Sequence, residues 1–269
     1  MNWHRVNSRH KCPVCKRPSW CVYSEDGTIV CMRVQSDKPC RSGGWLHAKE
    51  GFVPPTRSRQ QEVPPLDAVA YWTWLKSRQD ESCARELKVL GEQLGGIPVE
   101  FLQSEEVMWE KERKAAAFAM LDSYSTPIGI RLRWPDGGKG TIQGSRSGIL
   151  FPRHLARPET VYIVEGQTDY LIMRYFGLYA IGRPSCMGME AIVKGLLSRL
   201  APKNVVIVPD IDISIVAGEV RQPGRTGAIM LATYLQRDVL LRRPAKKDMR
   251  EWVLAEGLDR VKAEVMTWL

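Results

Sequence analysis

The chain has 269 residues, 44% hydrophobic and 26% charged, which excludes wholesale disorder, a collagen-like repeat and a disulfide-only miniature scaffold. No apolar run approaches the ~18 residues of a membrane span, and residues 1–11 lack the apolar core of a secretory signal. The chain is therefore expected to be soluble and cytoplasmic. Its formal charge of +9 is unevenly spread: +7 over residues 1–60, −6 over 61–112, +6 over 113–158 and +2 over 159–269. Two basic blocks suit a polyanion whose counterions they displace, but a solvated basic surface explains the charge as well.

Five of the seven cysteines (Cys12, Cys15, Cys21, Cys31 and Cys40) fall within 29 residues. Without a secretory signal, such density reads as metal binding before disulfides. Cys12-Pro13-Val14-Cys15 is a C-x2-C knuckle, able to aim two thiolates at one tetrahedral ion. Trp20–Ser24 and Thr28–Cys31 flank a Glu25-Asp26-Gly27 turn and predict a β-hairpin. A turn centred on Asp26 sets Cys21 opposite Cys31, with Cβ atoms ~5 Å apart. The expected zinc ligands are Cys12, Cys15, Cys21 and Cys31, with Cys40, His47 and His10 as alternatives for the fourth place. So small a ribbon would draw much of its folding energy from the metal. Lys11, Lys16, Arg17, Arg33, Lys38 and Arg41 are interleaved with Trp20, Tyr23 and Trp45. That mixture suits single-stranded nucleic acid, unless the aromatics are simply the ribbon's small core.

Paired prolines across 51–65 predict an extended linker. Residues 66–112 are expected to be helical, with Asp67 as a cap and Gly95-Gly96-Ile97-Pro98 as a break. From Ala115 the pattern changes to strands. Ala115–Leu121 is followed by Ile128–Trp134, where Ile128, Ile130, Leu132 and Trp134 share one face and Arg131 and Arg133 the other. With Lys139 and Arg146 this makes a basic sheet face, a reasonable seat for a triphosphate or a template strand. Gly137-Gly138-Lys139-Gly140 lacks the spacing of a phosphate-binding P-loop.

The last 111 residues alternate strand and helix, as in a parallel α/β sheet. Strands are expected at Thr160–Val164, Leu178–Ile181, Asn204–Val208 and Asp238–Leu241, with helices running to Phe176, near Glu190–Leu200 and over Thr226–Gln236. Ligands of such sheets sit beyond the carboxyl ends of the strands. Glu165, Asp210 and Asp212 occupy those ends, and Asp169 lies one helical turn past Glu165. Converging carboxylates repel one another unless divalent cations bind them, and hard oxygen ligands select Mg2+ or Mn2+. This is equipment for phosphoryl transfer.

Glu165-Gly166-x-x-Asp169 after one apolar strand and Asp210-x-Asp212 after another resemble the toprim domain of primases, topoisomerases and some nucleases. A cysteine ribbon, a linker and a basic sheet segment placed before it are similar to the order in bacterial and phage DNA primases. Lys247-Asp248 before a helix resembles the later acidic motif of that family, and Gly182-Arg183-Pro184-Ser185 falls at its second-strand glycine loop. The ribbon departs from the family where Cys31-Met32-Arg33-Val34 lacks the second cysteine of a C-x2-C pair.

The resemblance implies a small β zinc ribbon (1–50), a linker (51–65), a helical segment with a basic β subdomain (66–158) and a toprim α/β domain (159–269). It implies RNA primer synthesis on single-stranded DNA from ribonucleoside triphosphates, in the compact form expected of a phage or mobile element. A separate replicative helicase would be the partner, with Leu254–Leu269 as a docking helix. Glu165, Asp210 and Asp212 would hold Mg2+ or Mn2+, supported by Asp169 and Asp248. Arg131, Arg133, Lys139, Arg146 and Arg183 would bind nucleotide and nucleic acid. A toprim nuclease and a non-catalytic zinc-ribbon adaptor are the alternatives.

Overall fold

A computed structural model describes residues 3–40, 43–48, 63–153, 157–216 and 219–268; Arg41 and most of the expected linker lie outside the described residues. The chain divides into two compact units, Met1–Glu62 with Ile213–Arg221, and Val63–Asp212 with Gln222–Leu269.

The first unit is an antiparallel sheet in the order β1 (Trp3–Arg5), β2 (Val22–Ser24), β3 (Thr28–Cys31), β4 (Trp45–Ala48). Val22 pairs with Val30 and Tyr23 with Ile29, so the turn is centred on Asp26 as expected and Cys21 comes opposite Cys31. Gly27 takes a φ of +84° in that turn, where a side chain would be strained. The core is tiny: Val6, Tyr23 and Ile29 packed with Cys12, Cys21 and Cys31.

The second unit begins with α1 (Ala68–Ser77), α2 (Glu81–Gln93) and α3 (Val99–Ser104). Asp67 caps α1 by accepting from the Ala70 amide at 3.0 Å, and Asp80 caps α2 through the Cys83 amide at 3.1 Å. The helical expectation fails at the end of this stretch, where Met108–Glu110 forms β5. Three residues are too few to carry a period, and pairing with the next strand satisfies their backbone groups. Together with β6 (Ala115–Leu121), β7 (Pro127–Arg133) and β8 (Lys139–Thr141) it makes a four-stranded antiparallel sheet. Trp72 and Leu75 of α1 pack on Ala115, Ala117, Ile130, Leu132 and Ile142. Ala116 and Phe118, on the opposite face, join a core shared with α2 and α3. Both faces are thus covered, which suits the alanine-rich β6.

There follow β9 (Thr160–Glu165), α4 (Gly166–Tyr175), β10 (Ala180–Arg183), α5 (Glu190–Leu200) and β11 (Asn204–Val208). A hairpin of β12 (Ser214–Val216) and β13 (Glu219–Arg221), absent from the sequence expectation, groups with the first unit. The second unit ends with α6 (Pro223–Leu235), β14 (Leu240–Leu241), α7 (Met249–Glu256) and α8 (Leu258–Val265). Its parallel sheet has the order β10-β9-β11-β14. Along β9, Tyr162 and Val164 enter one core while Val161 and Ile163 enter the other. Burial on both faces explains the unbroken apolar runs.

Leu121 bridges to Ile149 and Leu150 to Gly182, and Leu121, Ile149 and Phe151 share a core with Val161 and Ile163. These contacts join segments 66–158 and 159–269 into one compact unit. At the end of the chain Val261, Val265 and Trp268 point inward, and Trp268 stacks on Trp252 at 6.1 Å between ring centroids. Of the apolar residues in the segment expected to dock a helicase, Val261, Val265 and Trp268 are taken up by the core, whereas Leu254 and Met266 stay exposed. No helix among the described residues is long and apolar enough to cross a membrane.

Candidate active site and cysteine cluster

The acids are gathered by three local devices. Gly166 has a φ of +79°, which turns the chain from β9 directly into α4. Glu165 is thereby left at the strand end with Asp169 one turn along the helix. The parallel pairing of Val208 with Val164 then carries Asp210 alongside, and the Asp210 amide donates to Glu165 Oε1 at 3.4 Å. Finally, the Ile211 amide donates to the Lys247 carbonyl at 2.6 Å, drawing the start of α7 onto the Asp210–Asp212 loop. There Asp248 caps α7 through the Glu251 amide at 2.7 Å, and Asp169 Oδ2 accepts from the Met249 amide at 3.1 Å. Lys247 Nζ stands 3.5 Å from Asp212 Oδ1. Gly224 in the first turn of α6 is pressed against Asp210, and a Cβ there would overlap the Asp210 carbonyl.

Glu165, Asp169 and Asp210 are largely removed from water, and Asp248 and the more exposed Asp212 are near enough to act on Asp210 by charge. Desolvation, and then the charges of Asp169, Glu165, Asp248 and Asp212, push the Asp210 carboxyl up to about 9. Desolvation and Asp248 raise Asp169, 3% exposed, to about 7 against the pull of the Met249 and Arg250 amides. Glu165 is raised chiefly by burial. Carboxyls held this far above their ordinary range lack a counter-charge of sufficient strength, and a divalent cation with oxygen preference supplies one. Carboxylate oxygens are the donors that Mg2+ or Mn2+ prefers, although among the described residues it is the four cysteines whose ligand atoms already lie within a metal's reach of one another.

The cations expected to face these acids separate into three groups. On β7 and β8, Arg131 pairs with Thr141 and Arg133 with Lys139, so Arg131, Arg133 and Lys139 share the face toward the acids. Lys139 is exposed, yet desolvation first and then Arg133 and Arg131 lower its ammonium, against the attraction of Asp210 and Asp169. Arg131 is tethered, with Nε donating to Gln167 Oε1 at 3.2 Å and Nη2 to the Pro184 carbonyl at 3.1 Å. Arg133 is 4% exposed with Nε unpartnered, in the field of Arg250, Asp248 and Asp169. The parallel-sheet half of the unit covers much of this arginine face. Arg183 is likewise covered. It is 3% exposed and bound to the Gly188 carbonyl at 2.8 Å and Glu190 Oε1 at 3.1 Å, which makes it a brace for the loop after β10. Arg146 is exposed on the segment after β8, where its amide donates to the Ile128 carbonyl. Gln167, Glu190 and Arg250 carry no distinguishing sequence signal and are recognised only from their positions.

In the first unit, the Sγ atoms of Cys12, Cys15, Cys21 and Cys31 lie within 4.8 Å of one another. Thiolates ~2.3 Å from one tetrahedral zinc stand about 3.8 Å apart; Cys15–Cys21 and Cys21–Cys31 are at 3.6 and 3.9 Å. The Cys15 amide turns back to Cys12 Sγ, and the Met32 and Val34 amides point at Cys21 and Cys31. Such amides favour thiolates. Burial opposes ionisation of Cys15, but the Arg17 amide and the neighbouring thiols bring it down to about 6; burial drives Cys21 up to about 12. The cluster fits zinc, and the fourth place belongs to Cys21. His47 Nε2 instead meets the Val34 carbonyl at 3.0 Å, while Cys40 and His10 lie outside the group.

No family model and no curated protein matches the sequence. Solved structures do match the fold. The DnaG primase catalytic domain bound to ssDNA is similar over 74% of this chain and 76% of its own, at 14% identity and a TM-score of 0.52. The RNA polymerase domain of Mycobacterium tuberculosis primase DnaG matches 74% of this chain and 78% of its own, at 13% identity and a TM-score of 0.51. The E. coli primase catalytic core matches the same shares at 16% identity and a TM-score of 0.50. Across three quarters of its length, the chain has the fold of a primase catalytic domain.

Proposed function

We propose that the chain is a DNA primase that joins ribonucleotides into short RNA primers on a single-stranded DNA template. The observation that carries this reading is the convergence of Glu165, Asp169, Asp210, Asp212 and Asp248 at the strand ends of a primase-type fold, with Arg131, Arg133 and Lys139 across from them. Glu165, Asp210 and Asp212 would hold Mg2+ or Mn2+, with Asp169 and Asp248 in support. When bound, such cations stabilise charge on the attacking and leaving oxygens of phosphoryl transfer.

The chain's own residues position the reactants. Lys139 and the free edge of Arg131 bind the triphosphate, while Gln167 and the Pro184 carbonyl keep Arg131 from swinging to solvent. Arg133 holds the acidic side chains in place through its charge, and Arg183 sets the loop beside Glu165. The nucleophile is the 3′-hydroxyl of the growing primer, so no protein nucleophile is needed. Cys12, Cys15, Cys21 and Cys31 would hold a structural zinc.

The test is incorporation of labelled ribonucleotides on mixed single-stranded DNA templates with Mg2+ or Mn2+, beside an Asp210→Asn control. Short RNA from wild type alone supports the reading. Degraded template without RNA would assign a toprim nuclease instead. An intact template without RNA, with and without added helicase, would leave a DNA-binding adaptor.

A further inference from the structure

Trp20 is 78% exposed, more than any other large apolar residue described, and its backbone has a φ of +74°. A bulky residue in the left-handed region is held against a strain that a glycine would avoid. Its neighbour Cys21 is buried in the cysteine cluster. The ring therefore stands outward from a rigid knuckle, where it contributes nothing to the core.

The inner side of the ring is nonetheless supported. Arg33 Cζ lies 5.9 Å from the Trp20 ring centroid. The guanidinium is anchored beneath it, with Nη1 on the Ser19 carbonyl at 2.8 Å and 3.7–3.8 Å from the Cys21 and Cys15 sulfurs. A cation set behind an indole holds the ring in one orientation with its other face open. Lys16 and Arg17, both exposed, lie next in the chain to the knuckle and are suited to backbone phosphates.

We infer that Trp20, backed by Arg33, is a stacking platform for one unpaired base of single-stranded DNA. The inference rests on the primase reading and deepens it by assigning a contact of the template to a particular side chain. Any base presents a π-face, so the platform grips without reading sequence. An unpaired base is required, because both faces of a base inside a duplex are already covered.

The test uses the full-length chain and fluorescent oligonucleotides of equal length, single-stranded and duplex, with wild type, Trp20→Phe, Trp20→Ala and Trp20→Gly. Zinc loss to a chelator is measured alongside. Trp20→Phe keeps binding within a few-fold, whereas Trp20→Ala and Trp20→Gly lose about 10- to 100-fold for single strands and change little for duplex. Because glycine is at home at this φ, Trp20→Gly loses binding while retaining zinc at least as well as wild type. Full binding by Trp20→Ala in a preparation that still makes primers would overturn the platform and leave the primase standing. So would equal losses on both DNAs, or losses only in variants that also release zinc. Failure of wild type to bind single strands at all would overturn both readings.

Discussion

Asp210→Asn is expected to make the metal-free protein more stable while removing its activity. Unfolded, the carboxyl ionises near its ordinary value of 3.8; folded, it ionises at about 9. A folded value raised in this way leaves stability intact below the unfolded pKa and erodes it as pH rises toward the folded one. At pH 7 the two states differ by about three pH units, and at 1.36 kcal/mol each that is about 4 kcal/mol of lost stability. Asparagine avoids the charge but keeps an amide that must also be desolvated. Recovering half of the loss gives about 2 kcal/mol, or about 4–8 °C in Tm for a unit of this size. Thermal unfolding followed by circular dichroism in EDTA should therefore separate variant from wild type, by little at pH 5 and by more at pH 8. Added Mg2+ should narrow the gap by raising wild type alone. A variant that is equally or less stable at pH 8 in EDTA, or a gap independent of pH, would refute the argument that these acids are forced together at the expense of folding.

Other expectations can be checked with the same preparations. Gly224→Ala places a methyl against the Asp210 carbonyl, so α6 must shift. Primer synthesis should fall more than 10-fold for an overpacking loss of about 1–3 kcal/mol in thermal stability. Cys21→Ser should abolish bound zinc measured by atomic emission and Cys40→Ser should leave it unchanged, since only Cys21 belongs to the four-sulfur group. Glu105 receives Arg174 at 2.9–3.1 Å and the Tyr170 hydroxyl at 2.8 Å. Glu105→Ala, which strands a half-buried guanidinium, should lower stability by about 3–5 kcal/mol, and Tyr170→Phe by only about 1 kcal/mol, in urea unfolding. Similar losses in both variants would contradict that difference.

Much of the molecule was legible because its signals are local. The C-x2-C knuckle, the hairpin centred on Asp26, the runs Ala115–Leu121 and Asn204–Val208 and the cap Asp67 all depend on residues a few positions apart. The structure has them where the pattern puts them. The acids at strand ends were legible for the same reason, since a parallel sheet aligns the ends of its apolar runs.

What the pattern alone could not decide was the fate of groups whose partners are remote in sequence. Arg131, Arg133 and Arg183 look alike in the sequence. Yet Gln167 and the Pro184 carbonyl tether the first, the second is sealed under the parallel-sheet half, and Glu190 with the Gly188 carbonyl claims the third. The same holds for Val261, Val265 and Trp268, whose stripe suits a partner helix as well as it suits the core they enter. The strand at Met108–Glu110 exists only because β6 offers it a ladder. Residue type and spacing determine which elements form and which chemistry is on offer. Burial, pKa and the choice of partner arise when distant segments exclude water from one another, and that belongs to the tertiary structure alone.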